Sequence, residues 1–178
     1  METATKLGAG ATLPPMSVAA VAGGDIRLGG GGRWQLIVVY RGKHCPLCRT
    51  YLKGLDGLLD AFRAQDTEVV AISGDSLEKA ASETSEEGWR FPVGYGLSVE
   101  QMLGLGLYVS EPRSPQETDR PFPEPGLFLV NPDGRVHVVD ISNAPFARPD
   151  LQAILNGVKF IRERNYPIRG TASRRDAP

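Results

Sequence analysis

Two cysteines, Cys45 and Cys48, are the only ones in the 178 residues, and they stand three apart in the stretch Arg41-Gly42-Lys43-His44-Cys45-Pro46-Leu47-Cys48-Arg49. Two residues between sulfurs let a pair of thiols close to a disulfide, so the spacing points to redox chemistry. The thiolate is the nucleophile in such chemistry, and a free cysteine with a pKa of about 8.5 must be acidified to supply it. Three means lie in the sequence. An apolar run ends just before the pair and a helix-period segment follows, which predicts Cys45 at a helix N-terminus, facing backbone N–H groups and the positive end of the dipole. Arg41, Lys43 and His44 add nearby positive charge. Pro46 suits the first helical turn and removes a donor that would otherwise lack a partner. Cys45 is then the exposed attacking sulfur and Cys48 the resolving one.

Other uses of the pair are weaker. A Cys-x-x-Cys can be half of a zinc site, but no second pair exists, and His44 and His137 would have to complete it, the former from a position adjacent to a ligand. Two inert buried thiols are the blander alternative, against which stands the strand–Cys-Pro-x-Cys–helix setting. His44 reads equally as a site residue or an exposed loop histidine. His137 alternates with Val136 and Val138, as a plain strand residue would.

The elements that must hold the pair follow from periodicity. Trp34–Tyr40 reads as a strand buried on both faces, and Tyr51, Leu55, Leu58, Leu59 and Phe62 mark one face of a helix from Pro46 to about Ala64. Thr67–Ser73 predicts a second buried strand, Ser76–Glu87 a helix capped by Ser76, Phe91–Tyr95 a short strand, and Ser98 a helical turn. Ser110–Gly126 carries five prolines and reads as a long functional loop. Gly126–Val130 and Arg135–Ile141 make strands joined by the turn Asn131-Pro132-Asp133-Gly134, and Pro149–Arg164 predicts an amphipathic closing helix. Near the start, Ser17–Ala22 and Asp25–Leu28 flank a Gly23-Gly24 turn and predict an N-terminal β-hairpin. The glycines at 29–32 lack the lysine and hydroxyl of a phosphate loop and read as a turn. The expected division is a flexible lead-in at 1–16, one α/β domain at 17–165 and a polar tail at 166–178.

Composition narrows the partners. A net charge of −1 and a pI near 6.1 give no basis for nucleic acid or an anionic membrane as partner. No stretch approaches the ~20 consecutive apolar residues of a membrane span, and no signal-like apolar core precedes Met16. A dithiol in a reducing compartment is more readily catalytic than structural, so a cytoplasmic location is expected.

Three blocks together, Val39–Cys48, Val69-Val70-Ala71-Ile72-Ser73-Gly74-Asp75-Ser76 and Phe128–Val136, resemble the peroxiredoxin-like AhpC/TSA branch of the thioredoxin-like superfamily, over about Val18 to Ile161. The resemblance implies a thioredoxin-like fold, a central mixed β-sheet flanked by helices, with the redox cysteine at the end of the first core strand. It implies a cofactor-free thiol oxidoreductase that reduces a small hydroperoxide through a dithiol/disulfide cycle, with a cellular thiol such as a thioredoxin as reductant and a homodimer as a common assembly. The same pair could instead exchange disulfides with proteins, or serve as a redox-sensing module. In thioredoxin-like proteins a cis-proline faces the active cysteine and precedes the strand matching Gly126–Val130. Pro125 occupies that place, so a cis Glu124–Pro125 bond beside Cys45 is expected. The family's peroxide-binding Thr or Ser, proline and arginine have Gly42, Val38 and Pro125 in their places here, which leaves Arg41, Arg120 or Thr50 to take over that task.

Overall fold

The computed structural model describes residues 5–173, so residues 1–4 of the expected lead-in and 174–178 of the expected tail lie outside the described residues. Trp34–Val39 (β3) is the middle of the molecule, a run of β-branched and aliphatic residues with its side chains buried on both sides. Because side chains alternate across a strand, Leu36 and Val38 enter one core, and Ile37 and Val39 the other. Thr67–Ile72 (β4) lies parallel to β3 and Gly126–Val130 (β8) antiparallel, with Val39 opposite both Ile72 and Gly126. Met16–Ala20 (β1), Asp25–Leu28 (β2), Val93–Tyr95 (β5) and Val136–Ile141 (β9) complete a seven-stranded mixed sheet in the order β2-β1-β5-β4-β3-β8-β9.

The predicted N-terminal hairpin is present, with Met16 opposite Leu28 and Ala19 opposite Asp25. It is also part of the main sheet, since Ala19 and Ala20 pair with β5. The lead-in is not loose where it is described. Gly10 N–H donates to Val136, Leu13 N–H to Gly134, and Val136 N–H to Ala11, so residues 10–13 lie along the turn after β8, and Leu13 is buried. At the start of the edge strand β9 these bonds occupy backbone groups that an edge would otherwise leave without partners.

Pro46–Arg63 (α1) and Leu151–Arg164 (α4) cover one face of the sheet, burying Leu52, Leu55, Leu59 and Phe62 from α1 with Leu155 and Val158 from α4. Each such side chain contributes about 1.5–3 kcal/mol by leaving water. A Cβ at Gly54 would lie 3.9 Å from Leu151 Cδ1 and one at Gly57 would meet open space, so the two glycines cost helix propensity without being required by packing. Val99–Gly104 (α3) closes the other face through Met102, behind a capping box of Ser98 and Gln101. Leu77–Glu87 (α2) starts at Ser76, whose hydroxyl accepts from Lys79 N–H, and ends at Gly88 in the left-handed region. The Pro-rich loop carries a two-stranded ribbon, Val109–Ser110 (β6) against Phe122–Pro123 (β7).

No cis peptide bond occurs among the described residues, so the expected cis Glu124–Pro125 bond is corrected to trans. The chain reaches β8 already extended from β7, with Glu124 N–H donating to Tyr108 and Pro125 C=O accepting from Ser142 N–H, so no tight reversal is required there. Among the described residues, no helix is long and apolar enough to cross a membrane.

Candidate active site

The loop after β3 brings Arg41 to His44 over the end of the sheet, and α1 begins on Cys45. Cys45 is the N-cap residue, Pro46 stands at the start of the first turn, and Cys45 Sγ accepts from Cys48 N–H at 3.2 Å. No disulfide joins the two sulfurs in this structure. Both sulfur-bearing residues are buried, Cys45 at 2% exposure and Cys48 at 0%, so the expectation of an exposed Cys45 is corrected. Polar groups rather than solvent therefore set the chemistry. The Cys48 thiol, hydrogen-bonded to Cys45, is the largest influence pulling the Cys45 pKa down to about 6; burial opposes it, and the Cys48 N–H, Arg148 and Arg41 assist. Burial first, and the bond to Cys45 second, push Cys48 up, against the pull of Arg148 and of the Arg41 backbone. The two shifts run in opposite directions, so Cys45 is the more acidic sulfur and Cys48 the one that keeps its proton.

The surroundings of Gly42 account for a glycine where the resemblance implies Thr or Ser. Its φ is +133°, and a Cβ there would lie 2.6 Å from Asp75 Oδ1. Asp75, nearly fully buried in the loop after β4, accepts from Lys43 N–H at 2.7 Å and so fixes the turn that delivers Cys45. A side chain at 42 would have to displace that carboxylate.

The flanking cations are disposed differently from the sequence reading. Lys43 turns its ammonium to Ser82 Oγ at 2.6 Å and Glu86 Oε1 at 2.8 Å on α2, away from the sulfurs. Arg41 pairs with Glu124 at 3.4 Å and Glu117 at 3.8 Å, and its guanidinium lies over Phe122. His44 is neither an exposed loop residue nor, among the described residues, a hydrogen-bonded one: it packs edge-on against Phe122 at 4.6 Å, and burial, with Arg41 beside it, lowers its pKa. Arg120 is bound to Asp119 at 3.0 Å, and Thr50 is bonded to Pro46 C=O on the exposed side of α1. Pro125 stands beside Val39, Tyr51 and Arg148 at a small constriction. His137 packs against Trp34 in the strand, as its alternation predicts. Among the described residues, no three or more His, Cys, Asp or Glu side chains gather as a metal would require.

Arg148 is the site residue that sequence reasoning missed. It lies between β9 and α4, stacks over Tyr51, and donates from Nη2 to Cys48 Sγ at 2.6 Å. Tyr51 OH in turn donates to Pro149 C=O at 2.7 Å, and Asp150 caps α4, so the residue next to Arg148 is held from both sides. Its Nε and Nη1 are buried without partners among the described residues. A groove of about 560 Å³ opens alongside, lined by Leu47, Tyr51, Leu58, Phe146, Arg148 and Leu151 among others.

Comparison with known proteins gives the same fold. The chain is similar in fold to a peroxiredoxin-like protein from Aquifex aeolicus, with a TM-score of 0.75 at 16% identity, over 88% of this chain and 89% of that one. It is also similar to AhpC of Mycobacterium tuberculosis, with a TM-score of 0.74 at 14% identity over 90% and 96%. The peroxidoxin BcpB of the same organism gives 0.72 at 17% identity over 87% and 98%. No curated protein matches the sequence. The profile of the AhpC/TSA family matches residues 9–139, a span that holds the hairpin, the dithiol and the strands around it, and the chain belongs to that family.

Proposed function

We propose that this chain is a thiol-dependent peroxidase whose reacting atom is Cys45 Sγ. The observation that carries the reading is the paired sulfurs themselves: Cys45 Sγ caps a helix N-terminus and accepts from Cys48 N–H, with the Cys48 sulfur one turn away and the Cys45 pKa pulled down by these neighbours. In the first step the thiolate attacks the distal oxygen of a hydroperoxide, the O–O bond breaks, and the alcohol or water leaves with a proton. Cys45 becomes a sulfenic acid. Cys48 then attacks the Cys45 sulfur, an S–S bond forms, the S–O bond breaks, and water departs. A cellular thiol such as a thioredoxin returns the pair to the dithiol by exchange, in a reducing compartment such as the cytoplasm. The unpartnered Nε and Nη1 of Arg148 are the donors best disposed to hold a peroxide oxygen, in place of the expected Arg120.

Mixing the reduced chain with stoichiometric hydrogen peroxide, followed by tryptophan fluorescence and intact mass, tests this reading. Oxidation much faster than that of a free thiol, ending in loss of the two thiol hydrogens, is expected; oxidation at the free-thiol rate sinks the peroxidase assignment. Cys48→Ser should stop at a Cys45 sulfenic acid. Trapping at Cys48 in Cys45→Ser would reverse the roles.

The groove beside Leu47 and Arg148 favours a second reading, in which the same dithiol exchanges with a protein disulfide. Rapid reduction of insulin together with slow peroxide oxidation is the outcome that selects it.

A further inference from the structure

Helix α2 turns a carboxylate into the protein, next to the arginine that follows the dithiol. Glu83 is 0% exposed, and neither of its side-chain oxygens has a hydrogen-bond partner among the described residues. Its nearest cation is Arg49 Nε at 3.7 Å, beyond hydrogen-bond length and shared with Glu87 at 3.5 Å. A buried carboxylate without partners is costly to the fold, and the ion pair with Arg49 is too long to offset that cost. Arg49 follows Cys48 directly and also reaches back to Lys43 C=O.

The groups facing Glu83 come from every neighbouring element: Arg49 from α1, Lys43 from the loop after β3, Asp75 from the loop after β4, Tyr40 from the end of β3, and Glu87 from its own helix. Burial is the largest influence and the Asp75 charge the next, and they push the Glu83 carboxyl up to about 7 against Arg49 and Lys43. Tyr40, fully buried and beside Ser73, feels the charges of Glu83, Asp75 and Cys48 together, and its hydroxyl makes no full hydrogen bond among the described residues. No hydrogen bond joins Glu83 to either sulfur, so any proton passing between them goes through Tyr40 or a water molecule.

We propose that Glu83 is the proton store of the dithiol, accepting through Tyr40 or an intervening water the proton that Cys48 gives up when it attacks oxidised Cys45, and handing it back on reduction. The inference rests on the Cys45–Cys48 cycle proposed above. In the resolving step the Cys48 S–H bond breaks and its proton moves to the Glu83 carboxylate. The electron pair left on Cys48 makes the S–S bond. The Cys45 S–O pair leaves with hydroxide, which takes a proton from solvent and departs as water. On re-reduction an external thiolate attacks Cys45 Sγ, the S–S bond breaks, and the leaving Cys48 sulfur takes the proton back from the Glu83 carboxyl; a second thiolate then displaces Cys45 from the mixed disulfide, leaving the reductant oxidised and Glu83 a carboxylate. Glu83 is thus a positioning residue for a proton and touches no substrate.

The full chain and its Glu83→Gln variant, equilibrated in glutathione buffers between about pH 5 and pH 9 and read by intact mass, provide the test. The dithiol potential of the unmodified chain should change slope near pH 7, where Glu83 titrates, and Glu83→Gln should lack that change. In rapid mixing with peroxide, Glu83→Gln should slow disulfide closure by about tenfold or more and leave sulfenic acid formation unchanged, with Glu83→Asp restoring part of the loss. Identical pH profiles and closure rates in both chains overturn the proposal, as does a chain that forms no Cys45–Cys48 disulfide in any of these buffers. Should Glu83→Gln fail to fold, carbon NMR of the unmodified chain decides: the Glu83 carboxyl should titrate at different pH in the dithiol and disulfide forms, and a common midpoint refutes the coupling. Slow oxidation by peroxide alone overturns only the peroxidase reading, because the glutathione arm needs no peroxide.

Discussion

The dithiol lies between two walls of opposite character. On one side, the segment between β9 and α4 supplies a guanidinium that donates to Cys48 Sγ at 2.6 Å and lies over Tyr51. On the other, the loop after β4 and helix α2 supply Asp75 and Glu83, both buried carboxylates whose pKa values are raised first of all by burial. A thiol pair surrounded by cations alone would keep thiolate and lose the means to move a proton. One surrounded by acids alone would keep its protons. The difference between the walls separates two tasks, holding negative charge on sulfur and accepting the proton that sulfur releases.

The acidic wall is expected to be the more sensitive to shape. Gly42→Ala places a methyl 2.6 Å from Asp75 Oδ1 at a φ of +133°, forces the carboxylate off Lys43 N–H, and should destabilise the fold by about 3 kcal/mol in urea unfolding. An unchanged midpoint would mean that the loop reshapes freely and that the wall does not hold it.

The next effect is a dependence of stability on pH. The Glu83 carboxyl is raised in the folded chain to about 7 from its ordinary 4.5, so the fold binds its proton more tightly than the unfolded chain does. Its contribution is complete below pH 4.5 and is lost as pH rises through about 7, a change on the order of 3 kcal/mol. Urea midpoints of Glu83→Gln should show less of this decline than those of the parent; parallel curves would remove Glu83 as its source.

On the cationic wall, Arg148→Met keeps a stem over Tyr51 and removes the charge. Losing one hydrogen bond to a charged sulfur pair should lower the rate of Cys45 alkylation at neutral pH by about tenfold and move its midpoint upward. A rate equal to the parent's would leave Cys48 and the helix terminus as sufficient causes of the low Cys45 pKa.

Much of this arrangement was legible in the residues. The three-residue spacing, Pro46 and the apolar run before them located the dithiol at a strand–helix junction, because local backbone chemistry decides those features. Ser76 and Ser98 likewise announced the starts of α2 and α3. Arg148 was not legible, since it is 100 residues from Cys48 and meets it only through the packing of α4 on α1. One signal was present: Arg148 is the single Lys or Arg between Arg135 and Lys159, directly before a Pro-Asp helix start.

Glu83 was hidden for the same reason: a glutamate in an exposed-looking helix gives no local sign that α2 will turn it inward. The β6–β7 ribbon escaped notice because strands of two residues interrupted by proline carry no periodicity. The cis expectation at Pro125 came from likeness alone, and the extended approach from β7 removed the need for it.

Phe122 has a consequence for selectivity in time. Arg41 and His44, on the approach to Cys45, both rest on this one ring, and Arg41 is anchored to Glu117 and Glu124 in the same loop. Cys45 itself is only 2% exposed, so a reagent reaches the sulfur only where a path opens. Burial of this kind slows bulky reagents more than small ones, and it spares a nucleophilic sulfur from the slow, indiscriminate modification that an open one would suffer.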